Sequence, residues 1–365
     1  MNFNLPQLLK ALIDQKGSDC HISAGAPPRF RIDGALLPID VPVLTAQECM
    51  TLCYSIMTDD QAKDLEENYE IDLAFNVKNL ARFRANIFMQ RGTVSGCFRA
   101  IPLEIPSLKD LNMPPLLEKI CNLPRGLVLV TGPTGSGKST TIAAMIDFIN
   151  TTLPKHIVTI EDPVEIVHQD KKSLIRQREL GQDTKSFGRA LKSALRQDPD
   201  VILIGELRDL DTISLALTAA ETGHLVFASL HTNSCVSSLN RIIDVFPGNQ
   251  QSQIRTQLAA TIQVILSQQL LPGIGGGRAL AMEILIPTPG IRNLIREDKF
   301  NQIYAAMQAG QDDSGMQTLN QALVQLIAAG KITSFLAYEI SSDAKELDML
   351  LSTRDKNKQS AKMKR

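Results

Sequence analysis

The chain has 365 residues, a formal net charge of −1 and no Trp. This length suits two domains. The near-neutral charge gives no overall field that would attract nucleic acid or a membrane surface, and few aromatic side chains are available to stack on bases. No apolar run reaches the roughly 18 residues that a membrane helix requires, and the N-terminus does not read as a signal peptide. The six cysteines form no C-x-x-C pair, so we expect reduced, structural thiols in a cytoplasmic protein.

Residues 1–101 are predicted to form an α+β domain. Apolar residues at helical spacing follow the N-terminus, and a second helical pattern covers 46–57. Alternation in the strand beginning at residue 81 puts Phe83 on one face and Arg82 on the other. Strands and helices without a βαβ order favour the α+β class. The strands predicted in this domain cover residues 19–23, 29–34, 81–88 and 93–101.

The pattern changes after a proline-punctuated stretch, residues 102–115, which is predicted to be a stiff linker and hinge. Over residues 116–351, strands and helices alternate, which is typical of a parallel sheet. Residues 352–365 are polar and basic and are predicted to be a disordered tail. The strands predicted in the second domain are Leu127–Val130, His156–Ile160, Val201–Ile204 and Leu225–Leu230, followed by a hairpin over 264–271 and 279–286.

The stretch Gly132–Ser139, GPTGSGKS, fits the phosphate-binding pattern G-x-x-x-x-G-K-[ST]. It follows a short apolar strand and precedes a helical pattern, which is the context that the motif requires. Glycines let backbone N–H groups surround phosphate oxygens, and the helix N-terminus adds partial positive charge. Lys138 would bridge the outer phosphates of a nucleoside triphosphate, and the Ser139 hydroxyl would hold Mg²⁺. The other loop residues predicted to contact the nucleotide are Gly132, Thr134, Gly135, Ser136, Gly137 and Thr140.

Acidic side chains follow two predicted strands at their carboxyl ends, where ligands bind in parallel sheets. One strand is followed by Glu161, Asp162 and Glu165, which suit water positioning or metal binding. Another strand, four consecutive aliphatic residues, is followed by Glu206, which we expect to contact Mg²⁺ through water. The alternative for these acids is loop solvation or helix capping. Asp209 is expected to cap the next helix.

Two histidines flank the strand Leu225–Leu230. His231 follows the strand, so the strand-end rule favours His231, with Thr232, as a sensor of the γ-phosphate. His224 precedes the strand and is the less favoured candidate for the nucleotide site. A purely structural role is the alternative for both.

The arginines Arg82, Arg84 and Arg99 lie on neighbouring predicted strands of the first domain. The second domain shows no obvious catalytic arginine near its acids. An arginine finger stabilises transition-state charge and can be worth about 10³–10⁵ in rate. If these arginines reach a γ-phosphate, the linker must swing the first domain onto a nucleotide of its own chain or of a neighbour. The alternative is a solvated strand face.

With these features in place, the chain resembles the type II/IV secretion and pilus ATPase superfamily, and more closely the retraction ATPases of twitching motility. The resemblance implies an α/β fold with a RecA-like P-loop motor domain and a smaller, PAS-like N-terminal α+β domain. It implies that Glu165 is the catalytic base, that Glu206 is the magnesium-linked acid, and that the three arginines complete the site. The segments that carry the resemblance are 132–140, 156–165, 198–209 and 220–232.

A sharper marker is the string IRNLIRE, Ile291–Glu297. Its spacing predicts a helix with Ile291, Leu294 and Ile295 buried, and with two arginines one turn apart on another face. In the retraction ATPases the string usually begins with Ala and is needed for retraction, whereas Gly290 stands there in this chain. Pilus-extension relatives carry a long extra N-terminal domain and a four-cysteine zinc site, which are missing here.

The resemblance therefore implies a cytoplasmic, Mg²⁺-dependent ATPase at the inner-membrane base of a type IV pilus. Its implied partners are five further copies in a homohexamer and the platform protein of the pilus machine, without nucleic acid or direct membrane insertion. One alternative is an accessory retraction ATPase that works beside a primary motor. A nucleic-acid-translocating ring is disfavoured by charge and aromatic content. A non-enzymatic scaffold is disfavoured by the set Lys138, Glu165 and Glu206.

Overall fold

The computed structural model describes residues 3–32, 34–78, 80–101, 104–310 and 315–363, with side chains to residue 354. The chain divides into two compact units. Asp33 of a predicted strand, residues 102–103 of the predicted linker and residues 364–365 of the predicted tail lie outside the described residues, as do residues 1–2, 79 and 311–314 of the predicted domains. Unit 1 comprises Met1–Ile105 and Pro163–Val167, and unit 2 comprises Pro106–Asp162 and His168–Arg365.

Unit 1 contains a six-stranded antiparallel sheet in the order β3-β2-β1-β6-β5-β4. Three helices pack on one face, where Phe83 is buried, while Arg82 and Arg84 lie on the other face, as the alternation predicts. The helices are α1 (Leu5–Asp14), α2 (Ala46–Tyr54) and α3 (Asp59–Asn68). The strands are β1 (Asp19–Ile22), β2 (Arg29–Ile32), β3 (Ala35–Pro38), β4 (Glu70–Val77), β5 (Ala81–Gln90) and β6 (Thr93–Ile101).

Unit 2 contains a seven-stranded sheet in the order β13-β12-β7-β11-β10-β8-β9. Its strands run parallel except for β13, which pairs antiparallel with β12. The four predicted parallel strands and the hairpin are therefore confirmed, and β9 is an addition at the sheet edge. The strands are β7 (Gly126–Thr131), β8 (His156–Glu161), β9 (Leu174–Glu179), β10 (Val201–Ile204), β11 (Leu225–Leu230), β12 (Ile262–Pro272) and β13 (Arg278–Leu285).

Helices cover both faces of this sheet because successive residues of each buried strand point to opposite sides. Leu127 and Leu129 of β7 join one apolar cluster, whereas Val128 and Val130 join another. Among the described residues of the unit, the helices before the C-terminal one are α4 (Leu116–Cys121), α5 (Lys138–Thr152), α6 (Phe187–Ala194), α7 (Leu210–Glu221), α8 (Cys235–Asp244), α9 (Gly248–Thr261), α10 (Pro289–Arg296), α11 (Ile303–Ala309), α12 (Leu319–Ala328) and α13 (Ser334–Ile340).

The register of the parallel strands aligns their carboxyl ends. Thr131 of β7 lies opposite Leu230 of β11, and Ile204 of β10 lies opposite Ile160 of β8. The segments that follow these strands therefore leave the same edge of the sheet, where ligands bind in folds of this type. Asp209 caps α7 by accepting a hydrogen bond from the Thr212 amide at 2.8 Å, as predicted.

The IRNLIRE string forms most of α10, as its spacing predicts. Thr288 caps the helix, and Ile291 and Ile295 are buried, whereas Leu294, also predicted to be buried, is half-buried. Arg292 is not a free surface arginine, because its guanidinium donates to the carbonyl oxygens of Ala259 and Ala260. These carbonyls belong to the last turn of α9, where cations are stabilising. The string therefore holds two helices of unit 2 together.

The C-terminal segment differs from the sequence prediction. The last helix, α14, covers Ala344–Met363, whereas the sequence predicts a disordered tail from residue 352. Lys, Gln, Ala and Met have high helix propensity, so a helix already begun can continue through such a polar stretch. Among the helices in the described ranges, none combines the length and the apolar character needed to span a bilayer.

Strand β13 of unit 2 carries a buried carboxyl group. Glu283 of β13 is only 3% exposed, and its Oε1 accepts a hydrogen bond of 3.3 Å from the amide of Cys235 at the start of α8. Burial raises the pKa of Glu283 to about 7, although the Cys235 amide opposes this shift. A group whose pKa rises on folding contributes stability below its unfolded pKa, and this stability is lost as the pH rises through about 7.

We therefore expect Glu283→Gln to stabilise the protein at pH 8 by up to about 3 kcal/mol relative to wild type, with little gain at pH 4.5. The glutamine keeps an acceptor for the Cys235 amide but carries no charge. Urea unfolding of both proteins across this pH range measures the difference, and Glu339→Gln on the exposed face of α13 is the control. A difference that stays constant with pH would contradict the role given to Glu283.

Candidate nucleotide site

The loop between β7 and α5 has a backbone that only glycine readily adopts at three positions. Gly132, Gly135 and Gly137 have φ angles of +141°, +79° and +88°. A Cβ atom on Gly132 would also lie 2.3 Å from the carbonyl oxygen of Gln268 and 2.6 Å from Ser136 Oγ. Conformation therefore favours glycine at all three positions, and at Gly132 the lack of space requires it as well.

Lys138 turns back over this loop from the first residue of α5. Its side chain is buried, and Nζ donates to the carbonyl oxygens of Gly132 at 2.8 Å and Pro133 at 3.1 Å. Ser136 Oγ is also buried and has no hydrogen-bond partner among the described residues. The ammonium, the unpaired hydroxyl and the N-terminus of α5 make this loop electropositive, which suits phosphate oxygens.

The other loop residues are accessible around this centre. Ser139 is exposed in the first turn of α5, and Thr140 beside it is half-buried. Thr134 is exposed at the tip of the loop. Gln268 of β12 links the sheet to the helix that follows the loop, since its Nε2 donates to Thr141 Oγ1 of α5 at 2.8 Å. The sequence reasoning missed Gln268 because no local motif marks it.

The acid after β10 lies in a small charged cluster. Arg208 Nε donates to Glu206 Oε2 at 2.8 Å, and His231 Nε2 lies 3.4 Å from Glu206 Oε1. Arg208 Nη1 also donates to Asp162 Oδ2 at 3.2 Å. The sequence analysis found no obvious catalytic arginine in the second domain, and the structure places Arg208 beside two of the acids of unit 2. Arg208 comes two residues after Glu206, just beyond the carboxyl end of β10. The rule that ligands bind at the carboxyl ends of parallel strands also applies to Arg208 and would have identified this arginine.

The charged cluster and the loop each contain oxygen atoms of the kind that bind Mg²⁺. Among the described residues, no group of three or more His, Cys, Asp or Glu side chains could hold a metal by itself. Mg²⁺ is commonly held by one or two protein oxygens together with substrate phosphates and water. Glu206 and Ser139 fit this pattern, because Glu206 can supply a carboxylate oxygen and Ser139 a hydroxyl oxygen.

The two predicted histidines lie at opposite ends of strand β11. His231 follows β11 and lies beside Glu206. The hydroxyl oxygen of the next residue, Thr232, is 2.6 Å from Ser238 Oγ of α8. Ser238 donates in turn to Thr131 Oγ1 at 3.3 Å, immediately before the phosphate loop. His224 precedes β11, and its Nδ1 lies 3.0 Å from the Ala219 carbonyl oxygen. Within one chain, His224 is therefore not brought to the loop.

Glu161 and Glu165 belong to different units although they are only four positions apart in the chain. Glu161 Oε1 accepts from Thr159 Oγ1 at 2.6 Å and from Gln177 Nε2 at 3.1 Å, so neighbouring side chains of unit 2 hold this carboxylate. Glu165 lies in the segment Pro163–Val167, which groups with unit 1. The sequence alone assigns this segment to the second domain.

The three predicted arginines share one face of the unit 1 sheet. Arg84 of β5 lies opposite Arg99 of β6. Arg82 Nε donates to the carbonyl oxygen of Val164 at 3.0 Å, within unit 1. Arg84 Nη2 lies 3.9 Å from Asp72 Oδ1 on the exposed side of the sheet.

Arg99 is held by a buried carboxylate that the sequence reasoning did not identify. Asp19 of β1 is 4% exposed, and its Oδ1 accepts from Arg99 Nε at 2.8 Å. Burial acts to raise the pKa of Asp19, but hydrogen bonds from Ser18 and Arg99 outweigh it and lower that pKa. The bond to Asp19 raises the pKa of Arg99, and the charge of Glu165 adds to this effect.

Comparison with known proteins identifies the family. The sequence pattern of the type II/IV secretion system protein family matches residues 4–334. The chain belongs to this family. It is 51% identical to the type IV pilus retraction ATPase PilT of Pseudomonas aeruginosa over 330 residues, which cover 90% of this chain and 96% of that protein. It is 39% identical over 346 residues to the type IV pilus ATPase PilU of the same organism, with coverage of 94% and 90%.

Solved structures of this secretion family confirm the predicted fold class, a RecA-like motor domain with a smaller N-terminal α+β domain. A crystal structure of the pilus retraction motor PilT with bound ADP superposes with a TM-score of 0.90 at 52% identity, covering 95% of this chain and all of that chain. The ATPase DotB of Legionella pneumophila superposes with a TM-score of 0.79 at 27% identity, with coverage of 93% and 96%. The resemblance stated from the sequence is thereby confirmed.

Proposed function

We propose that this chain is a Mg²⁺-dependent ATPase that drives retraction of a type IV pilus. The observation that carries the proposal is the phosphate loop with Lys138 turned over it, at the same sheet edge as Glu206 and His231. Similarity over nearly the full length to a protein named as a pilus retraction ATPase supports the biological role.

Within this proposal, Lys138 and the loop amides bind the β- and γ-phosphates. The residues assigned to the nucleotide with Lys138 are Gly132, Thr134, Gly135, Ser136, Gly137, Ser139 and Thr140. Ser139 and Glu206 would hold Mg²⁺, Glu206 through water, and such an ion would supply positive charge beside the phosphates. His231 senses the γ-phosphate through its position beside Glu206. His224, at the far edge of the sheet, would contact a nucleotide only across a subunit boundary.

Glu165 acts as the base that orients and deprotonates the attacking water. Arg84 and Arg99 stabilise the charge of the transferring phosphoryl group. Arg82 belongs to the same catalytic site. Because these four residues belong to unit 1, hydrolysis requires unit 1 to close on a nucleotide, in its own chain or in a neighbour. Closure on binding and relaxation after release convert hydrolysis into movement.

We further propose that six copies form a ring in the cytoplasm and act on the platform protein at the inner-membrane base of the pilus. A ring would place unit 1 of one copy beside the loop of the next, which would supply the arginines in trans. The mass of the purified chain with a non-hydrolysable ATP analogue tests this assembly. A monomer at micromolar concentration with nucleotide bound would contradict it.

Deleting the gene and counting surface pili tests the biological role. Retraction predicts an excess of pili that do not shorten, restored to normal by the wild-type gene. Loss of surface pili would instead assign the chain to extension and overturn the proposal.

The second candidate is an accessory retraction ATPase, and the observation that bears on it is the 39% identity to PilU against 51% to PilT. Supplying this chain as the sole retraction ATPase in a host strain separates the two. A primary motor restores retraction alone, whereas an accessory one does not. In a purified ATPase assay, marked stimulation by single-stranded DNA would favour the translocase instead.

A further inference from the structure

The segment that carries Glu165 makes a long-range hydrogen bond to the sheet of unit 1. Arg82 Nε donates to the carbonyl oxygen of Val164 at 3.0 Å, although 82 residues separate the two in sequence. Val164 is 6% exposed, so this carbonyl lies in a region of low dielectric, where a hydrogen bond from a charged donor is strong. The neighbouring residue in the chain is Glu165.

The donor is fixed by the sheet from which it projects. Arg82 lies in β5 opposite Ile101 of β6 and Asn76 of β4, so both neighbouring strands restrain its backbone. Ala81 and Phe83 on either side are buried in the core of unit 1. A side chain on such a strand positions its target more precisely than one on a loop.

The acceptor belongs to the peptide group that joins Val164 to Glu165. That group is planar, so fixing its carbonyl oxygen also fixes the direction of the Glu165 N–H and the position of the Glu165 Cα. The backbone φ angle and the side-chain torsions of Glu165 then set where its carboxylate lies. The field of Glu165 already acts on Arg99, which places the carboxylate near the same sheet face.

We propose that Arg82 is a positioning residue for the catalytic base: its guanidinium orients Glu165 through the Val164 carbonyl. This inference rests on the proposed role of Glu165 in ATP hydrolysis. It separates Arg82 from Arg84 and Arg99, because Arg82 acts on the loop that carries the base and not on the phosphoryl group. It also makes the base a part of unit 1.

Hydrogen exchange tests the contact without requiring turnover. Arg82→Ala should raise amide exchange in the peptide covering 163–167 by about tenfold, because a charged hydrogen bond restrains this segment in wild type. Arg29→Ala is the matched control, since Arg29 lies on the same sheet face in β2 and should leave this peptide unchanged. If Arg82→Ala does not fold, Arg82→Met gives the same readout, because its side chain keeps most of the apolar stem but carries no N–H donor.

Kinetics and binding then separate positioning from phosphate contact. Arg82→Ala should lower kcat by about 10- to 100-fold with KM within about twofold, since the base is misplaced while nucleotide contacts persist. In the Glu165→Gln background, adding Arg82→Ala should leave the Kd for ATPγS and for ADP unchanged. Unchanged exchange over 163–167, or a loss of ATPγS affinity with ADP affinity retained, would overturn the proposal. A wild-type chain without ATPase activity would defeat the proposed function, while the exchange result would still stand.

Discussion

Glu165→Gln is expected to bind ATP with wild-type affinity and to hydrolyse it about 10²–10⁴-fold more slowly. Glutamine matches glutamate in size and preserves the loop contacts, but its amide cannot accept a proton from the attacking water. Single-turnover hydrolysis with saturating enzyme measures the chemical step directly. Equilibrium binding of a fluorescent ATP analogue shows that the nucleotide site is intact.

Two further glutamine variants make this test specific. Glu339→Gln, on the exposed face of α13, is expected to hydrolyse ATP as wild type does. Glu161→Gln examines the rival carboxylate, which Thr159 and Gln177 already hold through hydrogen bonds. Loss of turnover in Glu161→Gln together with normal turnover in Glu165→Gln would show that the base has been assigned to the wrong residue.

Lys138→Ala is expected to abolish measurable ATP binding, raising the Kd at least about 100-fold. Hydrogen bonds from a charged donor are worth roughly 1.5–3 kcal/mol each, and two of them give a change of this size. In the described structure Nζ is already desolvated over the loop, where it contacts two carbonyl oxygens that phosphate oxygens would replace. Isothermal titration with ATP and Mg²⁺ measures the change.

Lys155→Ala is the matched control for this variant. Lys155 precedes β8 and pairs with Asp200 at 2.8 Å, so it lies at the amino edge of the same sheet. It should bind ATP as wild type does. ATP affinity in Lys138→Ala within a few-fold of wild type would rule out the phosphate-bridging role of Lys138.

The parts of the site that depend on local sequence could be predicted. The glycines of the loop are dictated by backbone conformation, and four residues of unbroken aliphatic character before Glu206 mark a buried parallel strand. Because parallel strands share their carboxyl edge, the meeting of Glu206 with His231 also follows from the order of elements. The capping of α7 by Asp209 is equally local.

The parts that depend on tertiary contacts could not be predicted. The grouping of Pro163–Val167 with unit 1 involves a hydrogen bond from Arg82, far away in the chain, which no periodicity encodes. The burial of Asp19 beneath Arg99 needs the antiparallel register of β1 and β6. Local signals were also missed, because α3 begins at a Thr58–Gln61 capping box that is visible in the sequence.

The most direct test of the account is to follow labelled pili on living cells in which the chromosomal gene carries Glu165→Gln. If hydrolysis with Glu165 as base drives retraction, pili should extend normally and accumulate, while retraction events fall at least about 100-fold, in line with the hydrolysis rate. Retraction at wild-type frequency and speed in these cells would contradict the account.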